Sequence, residues 1–253
     1  TLTDNDIIVC LYNSSSMKLT FEKVCSIAHL SGRSISFAYD EIDIPESQAI
    51  PQLSESELPC LDDFDYEPLV SLNHPRIKTL KCYWKAGWEN ALDGCWIRES
   101  VAEKLYVIAE ELPDRWGLGI FDAWRPLALQ NELFKAASED PLIPEELFAE
   151  PSSDPVAPPP HLTGGAVDLT FTVDNVPLAP GSGFDDITPA ARADFLEEIP
   201  GLNRDFRRFL YCTMRSQNFI VFREEWWHFE FGTCRWGALM ENKATFGVAS
   251  PFN

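Results

Sequence analysis

The spacing of apolar and polar positions changes period several times along the chain, and each change marks an element. Val101, Leu105, Ile108, Ala109 and Leu112 recur at helical spacing, which predicts an amphipathic helix with one buried face, stopped by Pro113. "GLGIFDAW", residues 117–124, is short and apolar, the pattern of a buried strand. Pro126 suits the first position of a helix over "PLALQNELFKAAS", because its missing N–H is not needed there, and Arg125 then falls at a strand-to-helix corner. A proline-dense loop over 151–160 precedes a strand over 165–173 that turns at Asp174-Asn175. Thr188-Pro189 reads as a helix start, a further helix covers about 203–216, and "FIVF" and "WWHFEF" close the chain as strands. Helices interleaved with short turn-linked strands predict an α+β fold, a small antiparallel sheet flanked by helices.

The first 70 residues follow a different pattern. Residues 1–43 combine an apolar run, "IIVCLY", with a helix-like "LTFEKVCSIAHL". From 45 to 68, "PESQAIPQLSESELPCLDDFDYEP" is acidic and punctuated by proline, the composition of a surface connection. The main body therefore begins near residue 70, leaving 1–70 as an N-terminal extension and 71–253 as the main domain. A chain of 253 residues with 45% hydrophobic content can bury a substantial core in one domain plus an elaborated terminus.

Charge narrows the choice of partners. Twenty basic against forty acidic residues give a formal charge of −20, which argues against nucleic acid and anionic membrane, surfaces bound by Lys and Arg. No apolar run reaches the roughly 18 residues of a membrane span, and Asp4 and Asp6 interrupt a signal-like start. The expectation is a soluble, cytoplasmic protein, with the absent initiator Met leaving a processed N-terminus open. Seven cysteines (Cys10, Cys25, Cys60, Cys82, Cys95, Cys212 and Cys234) are odd in number and form no CxxC pair, which favours reduced thiols over disulfides or a Cys-rich zinc site.

Candidate chemistry emerges from strand parity. Over 165–171, Val167, Leu169 and Phe171 share one face and Ala166, Asp168 and Thr170 the other. In "WWHFEF", Trp227, Phe229 and Phe231 share one face and Trp226, His228 and Glu230 the other. His161 lies seven residues before Asp168 and just ahead of Gly164-Gly165, a turn able to bring its imidazole back over the strand. His, Asp and His with a fourth position open is a ligand set of catalytic zinc, and Glu225 would then stand as general base. Taken singly, each residue has a plainer reading: a hydrogen-bonded core histidine, an aspartate on a backbone amide, two packing tryptophans. His29 and His74 have no Cys or acidic neighbours at ligand spacing and read as structural or surface residues, and no phosphate loop, HExxH helix or nucleophile elbow is present.

Together, "HLTGGAVD" (161–168) and "EWWH" (225–228) resemble the zinc D-alanyl-D-alanine dipeptidase family, peptidase family M15, whose signature is His-x-x-Gly-x-Ala-x-Asp followed by Glu-x-x-His. The resemblance implies one Zn2+ per chain on His161, Asp168 and His228, with Glu225 as catalytic base. "FDAWRP" is similar to the family's Asp-x-aromatic-Arg-Pro segment, which implies Arg125 as the oxyanion stabiliser. "PGSGFDD" is similar to its Gly-Ser-x-Phe-Asp segment, which implies Asp185 as the partner of the substrate ammonium. The likeness covers roughly residues 75 to 240 and implies a sheet that carries the zinc site, a catalytic domain over 71–253, and a small peptide such as D-Ala-D-Ala as substrate.

Pro159 departs from the family, which often has a hydroxyl residue two positions before the first histidine, so the substrate preference stays open. One alternative is a related zinc carboxypeptidase or endopeptidase acting on cell-wall peptides, with an open groove in place of an occluded pocket. Another is a non-catalytic metal-containing binding or sensor protein, against which Glu225 beside a full ligand set argues. Glu230 reads either as a partner behind His228 or as a rim charge. Oligomeric state is not encoded in any of these patterns.

Overall fold

The elements of the chain, in a computed structural model that describes residues 33–34, 44–53, 65–139, 151–152 and 154–252, are arranged around one long strand. In order they are β1 (Arg33–Ser34), β2 (Leu69–Ser71), β3 (Ile77–Thr79), α1 (Cys82–Ala86), β4 (Trp96–Arg98), α2 (Glu99–Glu111), β5 (Trp116–Asp122), α3 (Leu127–Ser138), α4 (Pro160–Thr163), β6 (Ala166–Val173), β7 (Val176–Ala179), α5 (Leu202–Ser216), β8 (Ile220–Val221), β9 (His228–Glu230) and α6 (Cys234–Met240). All eight residues of β6 are buried, so both faces of the strand are covered, and both of its edges are paired. One edge runs antiparallel to β5. The other is shared, with β9 opposite Ala166–Asp168 and β7 opposite Thr172 and Val173.

β8 extends the sheet beyond β9, while β3 joins β5 and β1 joins β7 in parallel, so the antiparallel centre has parallel margins. β2 and β4 form a separate antiparallel pair. The α+β expectation matches this architecture. Strand parity holds as well: Phe229 stands opposite Val167 and His228 opposite Asp168, so the two apolar faces meet in the core and the two polar residues meet on the other side.

α2 buries Val101, Ala102, Leu105, Ile108 and Ala109, the expected face, and ends at Leu112 ahead of Pro113. Phe206 of α5 and Trp116 of β5 each pack against Phe171 with ring centroids 5.5 Å apart. Burying a side chain of that size stabilises by about 1.5–3 kcal/mol, so this cluster anchors α5 to the sheet.

Four departures from the expected pattern have local causes. α3 starts at Leu127, since Pro126 is extended with ψ 148 and serves as its N-cap. Thr188-Pro189 opens only a 3-10 turn, Pro189–Ala191: the Ala193 N–H is drawn to the Arg223 carbonyl, and the Ala191 carbonyl accepts from Trp226 N–H, which stops a helix. The closing strand is trimmed to β9 by the same contacts, although the Trp227 carbonyl still accepts from Leu169 N–H at 2.9 Å. Residues 44–53 have no regular structure, yet Ile50 is buried and Ile44 and Leu53 pack on the core, so this part of the connection is not purely surface.

"IIVCLY", "LTFEKVCSIAHL", Cys10, Cys25, His29 and Cys60 lie outside the described residues. Within them, Cys82, Cys95, Cys212 and Cys234 are not joined in disulfides, and no helix is long and apolar enough to cross a membrane. His74 is structural, its Nε2 2.8 Å from Glu110 and its ring stacked on Tyr106.

Candidate functional site

The β6–β9 register sets Asp168 directly opposite His228. His161 arrives from outside the sheet, on the single-turn helix α4. Gly164 closes that turn with φ 74, a left-handed conformation that glycine adopts without a steric penalty. A Cβ at this position would also lie 2.3 Å from Leu69 Cδ2, so the tight reversal that folds His161 back over β6 requires glycine.

Three atoms converge there. His161 Nε2 is 3.2 Å from His228 Nδ1 and 3.3 Å from Asp168 Oδ2, and His228 Nδ1 is 3.0 Å from Asp168 Oδ1. Ligand atoms on a tetrahedron about 2.0–2.1 Å from a zinc ion stand about 3.3 Å apart, so the donor triangle has the right size for zinc. The outer nitrogens point the same way. His161 Nδ1 lies 2.6 Å from the Ala123 carbonyl and His228 Nε2 lies 3.0 Å from Glu230 Oε1. Each acceptor takes the outer N–H and leaves the inner nitrogen to act as a ligand. The three residues, all buried, are the cluster among the described residues able to hold a metal ion.

Electrostatics reinforce the convergence. Burial works against the charged form of His228, but hydrogen bonds and charge from Asp168 and Glu230 outweigh it and raise its pKa to about 10. Burial likewise opposes ionisation of Asp168, while His161 and His228 hold its carboxyl well below the usual range.

Arg125 stands beside the triangle, its Nη2 3.5 Å from Asp168 Oδ2 and 3.4 Å from Tyr83 Oη. Its Nε donates to Asp122 at 2.7 Å and its Nη1 to Gln130 at 2.9 Å, so the guanidinium is fixed with one edge toward the cluster. A β-bulge makes this possible. The β5–β6 register slips between Ile120 and Asp122, placing Asp122 rather than Phe121 opposite Asp168.

Glu225 Oε2 is 3.6 Å from His228 Nδ1. Its side chain is 19% exposed against 7% for either histidine, so the accessible side of the cluster lies toward Glu225. Burial, followed by opposing effects of His228, Asp168, His161 and Arg125, leaves its carboxyl raised above the ordinary value.

Asp185 is tied to the site through Tyr83. It accepts from Tyr83 Oη at 2.9 Å, and Tyr83 links it to Arg125. Its backbone is left-handed, φ 57, an uncommon conformation for a residue with a side chain. Burial and then the charge of Asp168 push its pKa well up. A cavity of about 20 Å³ beside Asp122 and Tyr83 reaches none of the three clustered residues.

Glu230 is fully buried. Besides His228, it accepts from Arg235 Nη1 and Thr233 Oγ1, and Thr233 also caps α6 by accepting from Trp236 N–H. Burial opposes its charge, yet Arg235, His228 and Thr233 lower its pKa to about 2. A rim charge is thereby excluded. Tyr83, Asp122, Gln130, Thr233 and Arg235 complete the surroundings, and of these only Asp122, three residues before Arg125 in "FDAWRP", carried a signal in the sequence.

The chain matches the peptidase M15 family model, described as D-ala-D-ala dipeptidase, over residues 91–243. It is also similar to the D-alanyl-D-alanine dipeptidase of Synechocystis sp. (strain ATCC 27184 / PCC 6803 / Kazusa), 27% identical over 207 residues that cover 67% of this chain and 84% of that protein. The matched region contains all six residues singled out above as ligand, base, oxyanion or ammonium candidates.

Proposed function

The chain belongs to the M15 peptidase family, that of the D-Ala-D-Ala dipeptidases, and we propose that it is a zinc-dependent dipeptidase hydrolysing a short peptide such as D-Ala-D-Ala, with one Zn2+ per chain. The observation that carries this reading is the donor triangle of His161, Asp168 and His228, with edges of 3.0 to 3.3 Å and both outer imidazole nitrogens already engaged. In this reading residues 71–253 form the catalytic domain and 1–70 an extension to it.

A zinc ion held by His161, Asp168 and His228 would supply Lewis-acid polarisation of the peptide carbonyl and a lowered pKa for water. Glu225 takes the water proton and returns it to the leaving amine, a role that a carboxyl with a raised pKa suits. Arg125, fixed by Asp122 and Gln130, directs Nη2 toward the oxygen that gains charge. Asp185 receives the substrate ammonium, with Tyr83 orienting its carboxylate, and the incoming cation offsets the burial that disfavours its charge.

The test is a library of dipeptides offered to the zinc-loaded protein beside longer peptides with the same C-terminal residues. Dipeptide hydrolysis that is lost on chelation and restored by zinc is the expected result. Cleavage confined to longer peptides would move the reading to a carboxypeptidase or endopeptidase, and no hydrolysis of any peptide by fully loaded protein would sink it.

A further inference from the structure

The two histidines of the donor triangle are backed by different groups. The outer nitrogen of His161 is hydrogen-bonded at 2.6 Å to a neutral backbone carbonyl, that of Ala123, with the Asp122 carboxylate farther off at 3.9 Å, whereas that of His228 is hydrogen-bonded directly to a carboxylate. His228 and Glu230 are two apart on β9, so their side chains leave the same face of the strand roughly 7 Å apart at the backbone, within reach of each other. Glu230 Oε1 lies 3.0 Å from His228 Nε2, the ring nitrogen turned away from the cluster. Arg235 and Thr233 donate to Oε1 and Oε2 of Glu230, and come from α6 and its cap. The Arg235 guanidinium also lies over the Phe222 ring, 4.2 Å from its centroid, and Phe222 is in ring contact with His228.

We propose that Glu230, held by Arg235 and Thr233, is a positioning residue that fixes the tautomer and ring plane of His228 and makes it the more basic of the two imidazole donors to the metal. A carboxylate behind a ligating imidazole holds the outer N–H and raises the electron density at the inner nitrogen, which a carbonyl does less strongly. The bulky donors around Glu230 keep water from competing for it, since the residue is fully buried. Because the Glu230 charge is itself paired with Arg235, its effect on His228 acts through the hydrogen bond at Nε2 rather than through net charge. The inference rests on the metal reading given above.

A purely structural role is the rival, because Glu230 also joins α6 to the sheet. The two are separated with the full chain by measuring zinc affinity in competition with a chromophoric chelator, for wild type, Glu230→Gln and Arg235→Gln, together with the melting temperature of each zinc-free form. Glu230→Gln keeps the shape and an acceptor oxygen but removes the charge. Its zinc dissociation constant should rise about tenfold or more. In the zinc-loaded protein the His228 Nε2–H, followed by heteronuclear NMR, should exchange with water faster than in wild type. A mere brace would lower the melting temperature and leave affinity and exchange unchanged, and that outcome in folded Glu230→Gln overturns the proposal. Should Glu230→Gln fail to fold, Arg235→Gln decides, because Arg235 is partly exposed and better able to tolerate change. Weaker zinc binding supports the role and unchanged affinity overturns it. Wild-type protein that takes up no zinc would instead refute the metal reading itself, whatever the variants do.

Discussion

Asp168 and His228 face each other across a backbone ladder that neither side chain supplies, whereas Asp185, at the other end of the site, is held in place by side chains. The ladder pairs β6 with β9 on one edge and β5 on the other, so the positions of two donors follow from register alone. Asp185 sits on the loop after β7 with a left-handed backbone, and that loop is gripped by Arg207 of α5. Arg207 donates to the carbonyls of Pro180, Ala190 and Arg192. A strand-built end resists displacement because moving one residue breaks several hydrogen bonds at once. A loop-built end can be shifted by losing one side chain, and it can therefore differ between relatives without disturbing the metal.

The sharpest way to break the strand-built end is to remove a donor. His161→Ala, Asp168→Ala and His228→Ala should each lose stoichiometric zinc in elemental analysis and with it all measurable hydrolysis; retention of one zinc per chain by all three would refute the assignment. The same end should show a proton signature. With its pKa raised to about 10, metal-free His228 holds a second ring proton through the neutral range, and zinc must displace that proton. Zinc affinity should then rise about tenfold per pH unit between pH 7 and 9, with about one proton released per ion in calorimetry across buffers of different ionisation enthalpy. Affinity flat over that window would show that His228 is already neutral. Glu225→Ala, next in size, should keep its zinc while kcat falls about 100-fold or more, the usual contribution of a general base.

The strand-built end was also the legible one. Alternation alone put Asp168 and His228 on the polar faces of their strands, and Gly164-Gly165 signalled the turn that returns His161. What alternation cannot show is an extra residue. The bulge at Phe121 brings Asp122 opposite Asp168, and nothing in "GIFDAW" marks it. Nor does local pattern reach across sequence: Tyr83 lies 102 positions from Asp185, and its own neighbourhood, "CYWKAGW", reads as packing. The expected helix after Thr188 failed for the same reason, since the backbone groups that would have continued it are taken by residues 223 and 226, thirty or more positions away. Glu230 was visible as a candidate by parity with His228, but choosing between rim and interior needed the donors that α6 delivers.

The loop-built end yields a smaller, selective effect. If Asp185 receives the ammonium, N-acetylation removes the charge it pairs with and forces an acyl group into space sized for –NH3+. Leaving a buried carboxylate without its cation should cost about 100-fold in kcat/KM. Asp185→Asn should depress cleavage of the free dipeptide much more than of the acetylated one, narrowing the gap between them, and zinc content should not change. Equal cleavage of both forms by wild type would rule out the dipeptide pocket and leave the metal chemistry intact.

The smallest expected effect tests whether the two ends are independent. Arg207 is almost fully buried, and burial, partly offset by the charge of Asp186, lowers its pKa to about 9. Lysine in its place keeps a cation on a flexible stem but has one nitrogen instead of three, and cannot grip Pro180 on one side of the loop and Ala190 and Arg192 on the other at the same time. Charge-assisted hydrogen bonds contribute about 1.5–3 kcal/mol each, so Arg207→Lys should lower stability by about 2–4 kcal/mol, read as an earlier chemical-denaturation midpoint. Within the folded population, the loosened loop should present Asp185 less well. KM for the free dipeptide should rise about three- to tenfold with kcat nearly unchanged, because binding of the ammonium is lost equally from ground and transition states. Zinc affinity should match wild type. A fall in zinc affinity equal to the rise in KM would show that the loop and the ladder move together, and the contrast between a rigid metal end and an adjustable amino end would then have to be given up.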